Sequence, residues 1–147
     1  MPETYALNTL PTAGLGRRLL AAAYDLLLIM AIWLVAGFVA MPVIVSFEVH
    51  PGNPYFRAYL FFVTFAFFAW FWMRGGATLG MRAWRLRLIQ PDGHRISLSQ
   101  AMLRFVVSFF SWLLLGAGFL WMLIDKEKCT WHDRLSGTKV VLLPKVE

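Results

Sequence analysis

Gly16–Val45 reads GRRLLAAAYDLLLIMAIWLVAGFVAMPVIV, a stretch whose only charges are Arg17, Arg18 and Asp25. From Leu19 onward the run is long enough to cross a bilayer, which takes about 20 apolar residues. Arg18 and Asp25 are seven residues apart. In a helix that is two turns, so they share nearly one face, about 10 Å apart along the axis. An aspartate inside such a helix costs about 2.5–3.5 kcal/mol on insertion scales, so a plain anchor has no use for it. Two readings stay open. Asp25 sits close enough to the helix end to reach water or satisfies a neighbouring helix, or it handles a ligand, ion or proton. The pair Arg17-Arg18 superficially resembles a twin-arginine export signal. The apolar run behind it is about twice the length of a signal core and carries a charge, so an uncleaved membrane helix from about Leu15 to Val45 is expected, with Pro42 kinking or ending it.

Working outward, residues 1–13 hold Pro2 and Pro11 and read as a flexible N-terminal tail. Ser46–Tyr55, with Glu48, Pro51, Gly52, Asn53 and Pro54, reads as a short polar loop. Ala58–Met73 is uncharged, mostly Phe, Trp and Leu, and bracketed by Arg57 and Arg74. It predicts a second span of about 24 Å, slightly short unless both arginines snorkel to the headgroups. Gly75–Gly80 reads as a flexible turn. The loop after it carries Arg82, Arg85, Arg87 and Arg95 against Asp92 alone, whereas the first loop offers only Arg57. The positive-inside rule then places both the N-terminus and this second loop in the cytoplasm.

Within the second loop Trp84–Leu88 alternates with the period of a half-buried strand, and Pro91-Asp92-Gly93 closes it with turn residues. Thr138–Leu143 is the natural partner strand. Pairing requires both segments on one side of the membrane, which bears on Ser97–Ile124 between them. Phe105–Ile124 is uncharged and could cross alone, but that would separate the strands and put Lys126, Lys128, Arg134, Lys139 and Lys145 outside. The favoured reading splits the segment. Ser97 and Gln100 form a capping box for a helix whose apolar residues (Leu98, Ala101, Met102, Phe105, Val106, Phe109) oppose Gln100, Arg104, Ser108 and Ser111. That pattern suits a helix lying in the interface. Leu113–Ile124, broken at Gly116-Ala117-Gly118, is about 18 Å long and would re-enter rather than cross. The expected fold is therefore an all-α membrane protein. It has two transmembrane helices, an interfacial and re-entrant helical unit, and a small cytoplasmic β-strand pair.

Composition agrees. Hydrophobic residues make up 59% of the 147 and charged ones 15%, against about 25% charge in a soluble domain. The net charge of +6 fits anionic lipid headgroups as the partner, with no nucleic-acid motif beside it. No catalytic constellation is legible, so no enzyme and no cofactor are expected. Cys129 and His132 have the spacing of metal ligands but would need Asp125 and Asp133 to complete a set, so no metal is expected. Two spans enclose no pathway alone, so a homo-oligomer or a membrane protein partner is expected.

Arg18 beside Arg17, and Asp25 in the first helix, resemble the opening of the RDD family of membrane proteins, named for one arginine and two aspartates. Thr78-Leu79-Gly80-Met81-Arg82, Arg87-Leu88-Ile89, Pro91-Asp92-Gly93 and Ser99-Gln100-Ala101-Met102-Leu103-Arg104 are similar to that family's middle segment. Trp131-His132-Asp133-Arg134-Leu135-Ser136-Gly137-Thr138 resembles its closing signature, with Ser136 where alanine is more common. The likeness spans residues 14–143, leaving 144–147 as a C-terminal tail. It implies a small membrane domain of the bacterial inner membrane with transport of an unidentified ion or ligand, and the alternative is an accessory subunit of a larger complex. It also brings in Asp133, and with helical phase it predicts one polar cluster of Arg18, Asp25 and Asp133. Arg18 is expected to be its only cation, with Arg17, Arg104 and His132 in support.

Overall fold

The computed structural model describes residues 9–50, 52–92 and 94–145. The tail expected over residues 1–8, Pro51 in the first loop, Gly93 in the turn and the last two residues lie outside them. Helix α1 spans Leu15–Ser46 and α2 spans Pro54–Gly75. Both are long and apolar enough to cross a membrane. Pro42 lies inside α1 and does not end it. Helix α2 starts earlier than its apolar stretch suggested. Asn53 caps it by accepting the Tyr55 N–H at 2.8 Å, and Pro54 takes the first helical position, where its missing N–H has no partner to lose. At 22 residues it is about 33 Å long, which removes the expected shortfall.

The two helices form a hairpin. Trp33 donates to Thr64 at 2.9 Å and the Tyr59 hydroxyl donates to the Ala36 carbonyl at 3.3 Å. Gly76, at φ 64°, closes α2 in the left-handed conformation. The expected flexible turn is instead the approach to a short helix, α3 (Leu79–Ala83), capped by Thr78. Strand β1 (Leu86–Ile89) follows and pairs antiparallel with β2 (Lys139–Leu142), Leu86 opposite Leu142 and Ile89 opposite Lys139. Leu86 and Leu88 are buried while Arg87 is exposed, as the alternation predicted. Residues 11–13, expected in a loose tail, dock on the other edge of β2. Ala13 N–H donates to Val140, and Leu142 N–H donates to the Pro11 carbonyl. Burying Ala13 and satisfying both edges of β2 is the physical reason.

Between the strands lies the divided unit. Helix α4 (Leu98–Leu113) begins with the expected Ser97/Gln100 capping box. It runs antiparallel along α2, with Phe105 against Phe61, Phe65 and Phe68, and Phe109 against Phe61. Both of its faces meet protein in part: Arg104 and Ser111 of the polar face are buried, as are Ala101 and Phe105 of the apolar one, while Leu98, Met102 and Val106 point outward. A charged side chain beside a membrane faces protein when a partner is there, and Arg104 has one in Asp133. The chain then turns through 102° at Leu114–Gly116 into α5 (Ala117–Leu120) and a 3₁₀ turn at Trp121–Leu123. Helix α6 (Trp131–Ser136) leads back to β2. The unit therefore leaves the sheet and returns to it. The main core sits at this junction, where Ala21, Trp72, Met81, Leu86, Ala101 and Val140 meet.

Candidate functional site

Helix α6 exists because its first turn is closed at both ends of a capping box. Thr130 Oγ1 accepts the Asp133 N–H at 3.3 Å, and the Asp133 carboxylate accepts the Thr130 N–H at 3.2 Å. That fixes Asp133, wholly buried, between two arginines. Arg18 of α1 donates to Oδ2 and Arg104 of α4 donates to Oδ1, each at 2.5 Å. Both arginines are only 5% exposed.

Arg18 spends its remaining donors on backbone, Nε on the Ala13 carbonyl at 3.0 Å and Nη2 on Val140 at 3.3 Å. One guanidinium thus binds α1 to the N-terminal segment, to α6 and to β2. Arg104 also donates to Thr138 Oγ1 at 3.0 Å, stands 5.4 Å from the Trp72 ring, and keeps its Nε–H without an acceptor among the described residues. Two guanidinium charges face one carboxylate. Burial pushes the Asp133 carboxyl up, but Arg104 and then Arg18 outweigh it and hold it well below the usual range. Next to it His132 is buried, its ring edge-on to Phe119 at 4.8 Å. Burial first, and the Arg104 charge second, bring its pKa down to about 3, so the ring is neutral at physiological pH. Ser136 donates to the His132 carbonyl at 2.5 Å and lies 2.7 Å from Thr138 Oγ1.

Asp25 is not in this cluster. Its carboxylate accepts from the Thr78 hydroxyl at 2.5 Å and from the Gly80 N–H at 2.9 Å, at the start of α3. A Cβ on Gly80 would sit 2.8 Å from Asp25 Oδ1, so only glycine lets α3 approach α1 this closely. The predicted three-residue cluster thus separates into two sites: Arg18 and Asp133 meet, and Arg104 rather than Asp25 is the third member. Arg18 is not the only cation there. Arg17 is half-buried and makes no ion pair among the described residues.

The partners that sequence reasoning missed are Thr78 and Gly80 for Asp25, Thr130 for Asp133, and Thr138 for Arg104. Two of them had a local signal. Thr78 and Thr130 each stand just before a helix, the position of a capping hydroxyl, and Thr130 has a carboxylate three residues on.

Chemically, the Arg18–Asp133–Arg104 cluster is a clamp whose carboxylate is paired on both oxygens, while Asp25 is a carboxylate held only by neutral donors. Cys129 is buried, and burial pushes its thiol up, away from the nucleophilic thiolate. Among the described residues no three His, Cys, Asp or Glu side chains come together as a metal would require.

A family model, the RDD family, matches residues 12–137. No curated protein and no solved structure matches the chain. The match takes in Arg18, Asp25 and Asp133 and the whole of both long apolar helices, and the chain belongs to the RDD family of small membrane proteins.

Proposed function

We propose that the protein moves a cation or proton across the bacterial inner membrane as a homo-oligomer, with Asp25 as the group that binds it. One observation carries this reading. Asp25 is buried in a membrane helix, and its carboxylate is met by a hydroxyl and an amide rather than by a cation. An ionised carboxylate without a counter-charge in a poorly hydrated place attracts a proton or a metal cation. The Trp33–Thr64 and Ala36–Tyr59 pairs set the register of the helical hairpin. Continued downward, that register brings Asp25 near the level of Phe71, about one turn inside Arg74. An ion leaving the headgroup region on that side would meet Asp25 first. Two spans enclose no channel, so the pathway would lie between copies of the chain.

Arg74, Arg82, Arg85, Arg87 and Arg95 belong to the sheet end of the hairpin, with Arg17 and Arg18, and Arg57 to the opposite end. This supports a cytoplasmic sheet and cytoplasmic termini. The test is flux into proteoliposomes loaded with a pH dye, under sodium, potassium and proton gradients. Flux in the wild type that Asp25→Asn abolishes supports the reading. No flux, or flux that survives the substitution, ends it.

A second reading is an accessory subunit that packs on a larger membrane partner. Its support is the outward face of α1, where Leu34 and Phe38 are 77% and 79% exposed. Absence of flux together with co-purification of a stoichiometric membrane protein would favour it.

A further inference from the structure

Apart from the arginine clamp and Asp25, the molecule has a basic hollow that neither site uses. It opens where α2 ends, between that helix's last turn and the chain running from β1 to the start of α4, with a volume of about 180 Å³. Arg74, Arg87, His94 and Arg95 surround it, with Trp72 and Gly76 in its wall, and no carboxylate is among the described residues lining it. All four basic side chains are exposed, and none of them makes an ion pair among the described residues. Three guanidinium groups gathered around one concavity repel one another and create a positive potential that an anion relieves.

Two further observations point the same way. Trp72 is buried to within 7% exposure, and its indole N–H has no acceptor among the described residues. A buried donor without a partner is rare, and here it belongs to a side chain forming the pocket wall. The pocket also sits at the end of a membrane helix, where Arg74 lies 4.1 Å from the centre of the Trp70 ring. Tryptophan and arginine at a helix end mark headgroup depth. Gly76 draws the two sides together. A Cβ there would meet the Leu88 carbonyl oxygen at 2.5 Å and the Arg87 side chain at 3.5 Å, so β1 is brought against the end of α2 only because that position is glycine.

We propose that this pocket binds a phosphate group, carried either by an anionic lipid headgroup or by a free phosphate anion. The planar donors of Arg74, Arg87 and Arg95 suit phosphate oxygens, which accept two parallel N–H bonds from one guanidinium. The site includes neither Asp25 nor the clamp, so its occupancy does not depend on the transport reading.

The test uses the full chain purified in detergent. Native mass spectrometry after mixing with dioleoylphosphatidylglycerol or dioleoylphosphatidylcholine reads the lipid arm. Thermal unfolding against inorganic phosphate, with chloride at matched ionic strength, reads the free-anion arm. The variants are Arg87→Gln/Arg95→Gln and the charge-matched control Arg82→Gln/Lys145→Gln, all at exposed positions outside the core. The wild type and the control should retain phosphatidylglycerol over phosphatidylcholine, and the pocket variant should lose that preference by about tenfold, which assigns the site to lipid. If instead no lipid is retained but inorganic phosphate raises the melting temperature of the wild type and control only, the site is assigned to the free anion. If pocket and control variants respond alike to both probes, the effect is diffuse surface charge and the proposal is overturned. Melting of each variant without added ligand must match the wild type, which separates lost binding from lost folding.

Discussion

Gly80 presents its backbone N–H to the Asp25 carboxylate at 2.9 Å, across a helix contact with no room for a side chain. The added methyl of Gly80→Ala would collide with Asp25 Oδ1 and with the Ala21 carbonyl oxygen. Backbone cannot swing aside as a flexible side chain can, so α1 and α3 must separate. The expected loss is about 1–3 kcal/mol, the range for overpacking. Gly37→Ala, where nothing lies within 4 Å, should be neutral or slightly stabilising. Chemical unfolding of both variants in one detergent gives the comparison, and equal behaviour would mean that α1 and α3 do not pack this tightly.

A double-mutant cycle separates the two polar sites. Arg18→Ala removes one of two cations from a fully buried carboxylate and should cost about 3–5 kcal/mol. Combined with Asp133→Asn it should show strong coupling, because each residue is the other's partner. Combined with Asp25→Asn it should be additive to within about 0.5 kcal/mol, because Asp25 bonds Thr78 and Gly80 instead. Coupling between Arg18 and Asp25 of more than that would contradict the separation.

His132 gives the fold a pH dependence. Its pKa is about 3 in the fold, against an ordinary 6.5. Between those values the unfolded chain takes up a proton that the folded one refuses. Stability from this group is therefore complete above 6.5 and falls with acidification, by up to about 1.4 kcal/mol per pH unit. Asp133 is held below its ordinary 3.8, so its own contribution is lost only under that value. Melting temperatures from about pH 7 down to about pH 4.5 should fall in the wild type and fall less steeply in His132→Phe. Parallel curves would mean that the ring is not shielded.

Much of the architecture can be read from the chain, for identifiable reasons. The Ser97/Gln100 box and the alternation of Leu86, Arg87 and Leu88 are local signals, set by hydrogen bonds three residues apart and by a period of two. The return of the chain to the sheet after α4 follows from strands that must pair. The partner of Asp25 was not legible. Helical phase offered Arg18, two turns away, whereas the actual donors come from Thr78 and Gly80, more than fifty residues on. Arg104 was expected only in support of the cluster, because amphipathicity does not say which face meets protein, and its bond to Asp133 joins residues 29 positions apart. Its spacing from Ser108 and Ser111, at one and two turns, was the available hint, since polar groups in a membrane segment turn inward.

Sidedness has a direct measurement. The strand pair and residues 11–13 form one layer at the open end of the helical hairpin. Reporters fused after Glu147 should therefore behave as cytoplasmic: a fluorescent protein bright, and a phosphatase that matures only in the periplasm silent. An active phosphatase would require α4 and the segment after it to cross the membrane, or the whole hairpin to insert in the opposite sense.

The layer that joins residues 11–13, β1 and β2 also imposes an order on manufacture. Of the three acceptors that Arg18 uses, only Ala13 has been translated when α1 leaves the ribosome; Asp133 and Val140 come more than a hundred residues later. Both membrane helices must therefore form while their latch is still unmade, with Arg18 lacking its carboxylate partner. Closure comes late in biogenesis and joins residues 11–13 and Arg18 to residues more than a hundred positions on. A nascent chain stopped before Thr130 would insert as an unlocked hairpin, cut by protease at its sheet end, whereas the finished chain resists.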